Sequence, residues 1–148
     1  MLTESTLPGY ELSIDKQRLD VELIHHFLAE ESYWSRGVPR DVVERAVQNS
    51  ICFGVYYAGP QVGFGRVVTD KATFALLADL FVIEAHRGKG ISKWMMRVIM
   101  AHEELQGLRR WLLLTSDAHG LYSQFGFTKL GNPSRFMEVL RADIYRPA

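Results

Sequence analysis

The chain has 148 residues, 47% hydrophobic and 23% charged, which is the length of one domain and the composition of a protein with a packed core. Seventeen Lys and Arg offset seventeen Asp and Glu, so net charge gives no sign of a nucleic-acid partner or an acidic membrane surface. One cysteine, Cys52, excludes an internal disulfide framework. No apolar run reaches membrane length and residues 1–6 lack a basic, apolar leader, so the expected location is cytoplasmic.

Residues 9–14 alternate apolar and polar side chains, the pattern of a half-buried first strand. Asp15 is placed to cap a following helix whose Val21, Ile24, Phe27 and Leu28 form an apolar stripe. His25 and His26 are adjacent and cannot share one helix face, so no metal site is expected there. Residues 31–39 break the helical period and carry Tyr33 and Trp34, either a hydrophobic plug between helices or the wall of a pocket. Pro39 suits the first turn of a second helix, Arg40 to Gln48, with Val42, Val43, Ala46 and Val47 on its buried side.

Residues 51–57 and 62–68 read as a hairpin across Ala58-Gly59-Pro60-Gln61, with Cys52 as core packing rather than a nucleophile. Residues 73–83 are apolar almost throughout, as in a strand covered on both faces. A turn, Glu84 to Ser92, leads into a helix with Ile91, Trp94, Met95, Val98 and Leu105 at helical spacing, stopping near Gln106-Gly107. A strand over 111–115 and a helix carrying Tyr122 follow. Two last strands, 127–130 and 135–140, are expected across Gly131-Asn132-Pro133-Ser134. The order β-α-α-β-β-β-α-β-α-β-β predicts an α/β chain with one mixed sheet and helices on both faces.

Strand, glycine turn and helix start make an anion site in the middle of the chain. The first N–H groups of a helix lack internal partners, and the helix dipole adds positive charge there. Gly88 and Gly90 leave room for a phosphate, and Arg87 and Lys89 add charge. The dinucleotide fingerprint fails because position 93 is Lys, and the P-loop fails because position 83 is Ile. Arg87-Gly88-Lys89-Gly90-Ile91-Ser92 instead resembles the Arg/Gln-x-x-Gly-x-Gly/Ala signature of the GNAT superfamily of acyl-CoA-dependent N-acetyltransferases, with Ser92 in place of the last Gly or Ala. Downstream, residues 117–127 resemble the family's Ala-x-x-x-Tyr-x-x-x-Gly-Phe segment through Ala118, Tyr122, Gly126 and Phe127.

The resemblance implies a single GNAT domain over 1–148, with a mixed, mostly antiparallel sheet, and acetyl-CoA as the cofactor. It places the pyrophosphate on Arg87, Gly88, Lys89, Gly90, Ile91 and Ser92, and pantetheine along the backbone of Leu80, Phe81 and Val82. In the family the segment between the first two helices usually covers the acceptor site, which puts Tyr33 and Trp34, with Asp79, beside a small-molecule or peptide amine acceptor; homodimers are common among its members. Tyr122 is the expected proton donor, because a phenol of pKa about 10 keeps its proton at neutral pH and can protonate a leaving thiolate. Diamine-type members carry a Glu base where this chain has Ala78. Asp79 points to the opposite face, alongside Phe81, and is expected to bond a neighbouring backbone group, leaving water to remove the amine's proton. Asp117 is expected to cap the Tyr122 helix and His119 to be solvated or a relay. A non-catalytic acyl-CoA sensor of the same fold is the alternative, and an intact Tyr122 favours the enzyme.

Overall fold

A computed structural model of the chain describes residues 7–146. Five strands form one sheet in the order β1 (Tyr10–Ser13), β2 (Ile51–Tyr57), β3 (Gln61–Thr69), β4 (Phe74–Val82) and β5 (Arg110–Leu112). The first four are antiparallel neighbours, β2, β3 and β4 joined by short turns and β1 to β2 through the first two helices, and β5 runs parallel to β4 after a helical crossover. Helix α1 (Val21–His26) widens into a π turn at Phe27–Glu31 and is followed by α2 (Arg40–Gln48). Helix α3 (Ile91–Ala101) forms the crossover, and α4 (His119–Ser123) follows β5.

Strand alternation divides the core between the two faces of the sheet. Leu12, Phe53, Val55, Val67 and Leu77 face α3, where they meet Trp94, Met95 and Ile99. Cys52, Phe64 and Phe81 face the other way, against Ile24, Leu28, Val43 and Val47 of α1 and α2. Cys52 is a core residue, 1% exposed, as its neighbours in the sequence suggest.

Two irregularities in β4 shape everything beside it. Its register against β3 pairs Ala78 with Arg66 and Phe81 with Phe64, so Asp79 and Leu80 together oppose Gly65. This is a β-bulge, and it reverses the pleat. Ala75 and Leu77 point to the α3 core before the bulge, whereas Leu80 and Val82 do so after it. Asp79 sits at φ +56°, a left-handed backbone that Asp tolerates better than most residues. A Cβ on Gly65 would lie 3.0 Å from Leu80 Cδ1, so glycine there makes room for the displaced leucine. In addition, β4 and β5 pair at only three positions, Phe74 with Arg110, Ala75 with Trp111 and Leu76 with Leu112. Beyond Leu76 the two strands part, and no strand among the described residues lies beside 77–82 on that side.

Three expectations need correction. Asp20, not Asp15, caps α1: its Oδ1 accepts from Leu23 N at 3.0 Å, while Asp15 accepts from Gln17 N at 2.9 Å in a separate short turn, Lys16–Arg18. Helix α3 stops at Ala101 because His102 is extended and its Nδ1 accepts from Glu104 N at 3.1 Å, which starts a new turn at Glu103–Leu105. The strands expected over 127–130 and 135–140 do not form; Pro133–Arg135 is a helical turn and 137–140 is extended chain outside the sheet. Their apolar pattern suits a strand, but a strand also needs a neighbour to pair with, and the described residues supply none there.

Candidate active site

The turn before α3 has the geometry of an anion cradle. Gly88 and Gly90 sit at φ +79° and +81°, where glycine is favoured, and a Cβ on either would meet no protein atom within 4 Å. Gly90 occupies the cap position of α3 with no side chain closing the helix end and no acid in the first turn, so the leading N–H groups face open space. The cleft there, about 350 Å³, is lined by Val82, His86, Arg87, Gly88, Ser92 and Lys93 among others. Arg87 Nε donates to Val82 O at 2.9 Å, which ties the guanidinium to the end of β4 and leaves its terminal nitrogens for a ligand. Ile91 is 2% exposed, its side chain in the core, so it can offer only its N–H. Lys89 is exposed and outside this lining; Lys93, which the sequence reading passed over, is within it.

The parting of β4 from β5 continues this cleft along 80–82. Phe81 and Val82 are each 5% exposed, their side chains in the two cores, and no strand among the described residues pairs with their backbone on that side. The π turn carries Phe27 onto Phe81, with ring centroids 3.9 Å apart and near-parallel planes, and Trp34 tilts against Phe27.

The loop after α1 then spans the mouth of the opening. Trp34 Nε1 donates to Asp79 Oδ1 at 2.8 Å, fixing it to β4, and Ser116 N donates to Tyr33 Oη at 3.0 Å, fixing it to the chain after β5. Both rings still show large exposed faces, 54% for Tyr33 and 41% for Trp34, so the loop serves as a pin and as a wall. The hydrogen bond from Ser116, reinforced by Thr115, holds the Tyr33 phenol below its usual pKa. Asp79 does not bond a backbone group, as the sequence suggested. Arg66 Nε donates to its Oδ2 at 2.9 Å, and Arg66 Nη1 donates to Ser50 Oγ at 3.1 Å. With one donor on each oxygen, Asp79 is committed to holding the loop.

Tyr122 lies across the opening on α4. Its ring meets Phe127 edge-on, and its hydroxyl makes no hydrogen bond to the described residues. Burial, then the neighbouring Tyr33 and Asp117, push the phenol up to about 12. Thr115, rather than Asp117, organises the start of α4: its Oγ1 accepts from Ala118 N at 3.1 Å and Asp117 N at 3.4 Å. His119 is exposed and lines, with Tyr122 and Thr115, an apolar groove of about 930 Å³ beyond β5. No group of His, Cys, Asp and Glu that could hold a metal occurs among the described residues.

The family model of the acetyltransferase (GNAT) domain matches residues 48–129, from the end of α2 to the chain after α4. The chain belongs to the GNAT acetyltransferase family. A candidate acetyltransferase of Gibberella zeae is 34% identical over 141 residues, covering 80% of this chain and 78% of that protein. The crystal structure of a candidate GNAT acetyltransferase from Xanthomonas campestris pv. campestris is 46% identical and superposes with a TM-score of 0.93, over 95% of this chain and 99% of the other. A predicted acetyltransferase from Clostridium acetobutylicum, solved with acetyl-CoA, shares the fold at 13% identity and a TM-score of 0.63, covering 88% of this chain and 94% of its own. Besides Lys93, sequence reasoning missed Arg66. Its signal was available: it is the one charge in the otherwise apolar 62–68 strand.

Proposed function

We propose that the protein transfers an acetyl group from acetyl-CoA directly to a primary amine of a small molecule or peptide, as a single domain over 1–148. The observation that carries this reading is the anion cradle at Gly88–Ser92, which opens at the end of β4 beside the stretch where β4 is unpaired with β5. The cradle suits a pyrophosphate: open space above two left-handed glycines, free helix N–H groups, and Arg87 and Lys93 beside them. Relatives of the same fold have been solved with acetyl-CoA. That cofactor, when bound, supplies the thioester acyl group.

The chain's own residues then divide the work. Ser92 and Lys93 N–H groups with Arg87 hold the phosphates, and the open backbone of Leu80, Phe81 and Val82 orients the arm that follows. A backbone N–H of that stretch, fixed in place by the bulge, is the preorganised donor for the carbonyl oxygen. Tyr122 keeps its proton at neutral pH, since burial weakens it as an acid, and its unbonded hydroxyl delivers that proton to a thiolate whose thiol pKa is about 8.5. Asp79 carries two donors and does not act as base; water in the cleft takes the amine's proton. Among the described residues no helix is long and apolar enough to cross a membrane, in keeping with a cytoplasmic enzyme.

Release of free CoA thiol from acetyl-CoA, followed against a panel of amines, tests this. Amine-dependent release is expected. Binding of CoA with no release for any amine would favour the acyl-CoA sensor instead.

A further inference from the structure

A second cavity lies at the end of the sheet away from the anion cradle. The cradle sits beside Val82, which pairs with Gly63 near the start of β3. This cavity sits beside Val67, towards the end of β3, and its partner Ile51 at the start of β2. The chain after β1, the α2–β2 junction, the turn after β3 and the turn after α3 converge on it. It holds about 380 Å³, enough for a small molecule.

Its lining is part apolar and part charged. Ile14, Ile51 and Val67 give it an apolar wall. The charged side chains on it are Lys16, Lys71 and Glu104, so two cations meet one anion and a single positive charge is left over. Lys71 Nζ is 2.9 Å from Glu104 Oε2 and holds that carboxyl below its usual pKa, so these two answer one another. Lys16 has no such partner among the described residues. Its Nζ donates to Gln48 O at 3.0 Å, at the carbonyl end of α2, and keeps its remaining N–H bonds for something else.

The other donor is a buried one. His102 is 3% exposed and lines the cavity, with Phe53 packed nearly perpendicular to its ring at 5.6 Å. Its Nδ1 accepts from Glu104 N at 3.1 Å, so the neutral ring carries its proton on Nε2. No described residue accepts that proton, and Nε2 keeps access to solvent. A donor this deep in the protein is costly to leave unmet, and the cavity is the opening that its ring borders.

We propose that this cavity binds a small monocarboxylate with a short hydrocarbon body, the carboxylate on His102 Nε2 and Lys16 Nζ and the hydrocarbon against Ile14, Ile51 and Val67. One unanswered cation matches one negative charge, and the apolar wall gives an organic anion contacts that a hydrated inorganic one cannot use. The cavity shares no residue with the cradle, so the proposal does not depend on acetyl transfer.

Calorimetry on the full chain, with sodium butyrate titrated at constant ionic strength, tests it. Saturable binding is expected, with acetate weaker by about tenfold for its two missing methylenes and neutral butyramide weaker still. His102→Asn keeps an acceptor for Glu104 N and removes the Nε2 donor. Lys16→Met removes the free charge and keeps most of the stem. Each should weaken butyrate by about tenfold or more with circular dichroism unchanged. Lys16 is exposed, so its variant carries the test alone if the buried substitution unfolds the chain. Absence of saturable butyrate binding overturns the proposal. So does butyramide binding as tightly as butyrate, or wild-type affinity in Lys16→Met.

Discussion

Asp79→Asn looks conservative, and the structure says that it is not. The two carboxylate oxygens each accept from a donor, Trp34 Nε1 at 2.8 Å and Arg66 Nε at 2.9 Å. An amide offers one acceptor and one donor in their place. Whichever way it is turned, its NH₂ faces another N–H, and one of the two bonds becomes a repulsion. The ion pair is also well covered, with 17% of the Arg66 side chain and 10% of the Asp79 side chain exposed. Two charges at this separation attract by about 6 kcal/mol at an effective dielectric of 20, most of it cancelled by desolvation. Removing one partner is costlier than the pair's net worth, about 3–5 kcal/mol in a buried site. Residual exposure and the surviving Ser50 contact to Arg66 bring the expected loss to about 3 kcal/mol, or roughly 6–12 °C in Tm for a chain of this length. Urea unfolding followed by tryptophan fluorescence reads it, and an Arg66→Met background isolates the pair through a double-mutant cycle. A Tm within about 2 °C of the wild type, or a coupling below about 0.5 kcal/mol, would refute the argument. Activity is a separate matter: kcat of the folded variant should fall by less than about tenfold, and a thousandfold loss would make Asp79 the base.

Tyr122→Phe keeps the ring and removes only the hydroxyl, so CoA affinity should hold while kcat falls by about 10²–10⁴-fold; an unchanged kcat would make the phenol a packing group. Arg87→Ala loses a charge-assisted contact and the tether to Val82 O, and calorimetry should show CoA binding weaker by about 1.5–3 kcal/mol. Gly90→Val should weaken it further, because a branched residue at φ +81° strains the turn and fills the cradle. Burial pushes the Cys52 thiol up to about 11 from an ordinary 9.0, and the phenols of Tyr56 and Tyr122 up to about 12 from 10.0. The folded chain therefore keeps protons that the unfolded chain releases, and stability should decline as pH rises from about 9 to 12, with Cys52→Ala flattening the part between 9 and 11. A melting temperature flat across that range would contradict the burial of these groups.

The cradle was legible because it is local: Arg87 to Ser92 is six consecutive residues whose glycines, charges and helix start are all written in order. The helix stripes and the β2–β3 hairpin were legible for the same reason, since periodicity needs only near neighbours. Asp79 does share a face with Phe81, but through the bulge rather than the plain alternation the sequence suggests, and its partners were not legible. Arg66 and Trp34 lie 13 and 45 residues away, and no spacing rule connects them.

What the sequence determined by itself, then, is what chain-local chemistry can encode: element type, the turn that fits an anion, and a family motif around Tyr122. Tertiary structure alone decided the rest. The bulge at Asp79 reverses the pleat of β4, the short β4–β5 pairing opens the cleft, and the aromatic loop is pinned across it by bonds to both sides. The segment over 135–140 shows the boundary most plainly. Its residues specify a strand, but a strand is a relation between two backbones, and only the fold reveals that the neighbour is missing from the described chain.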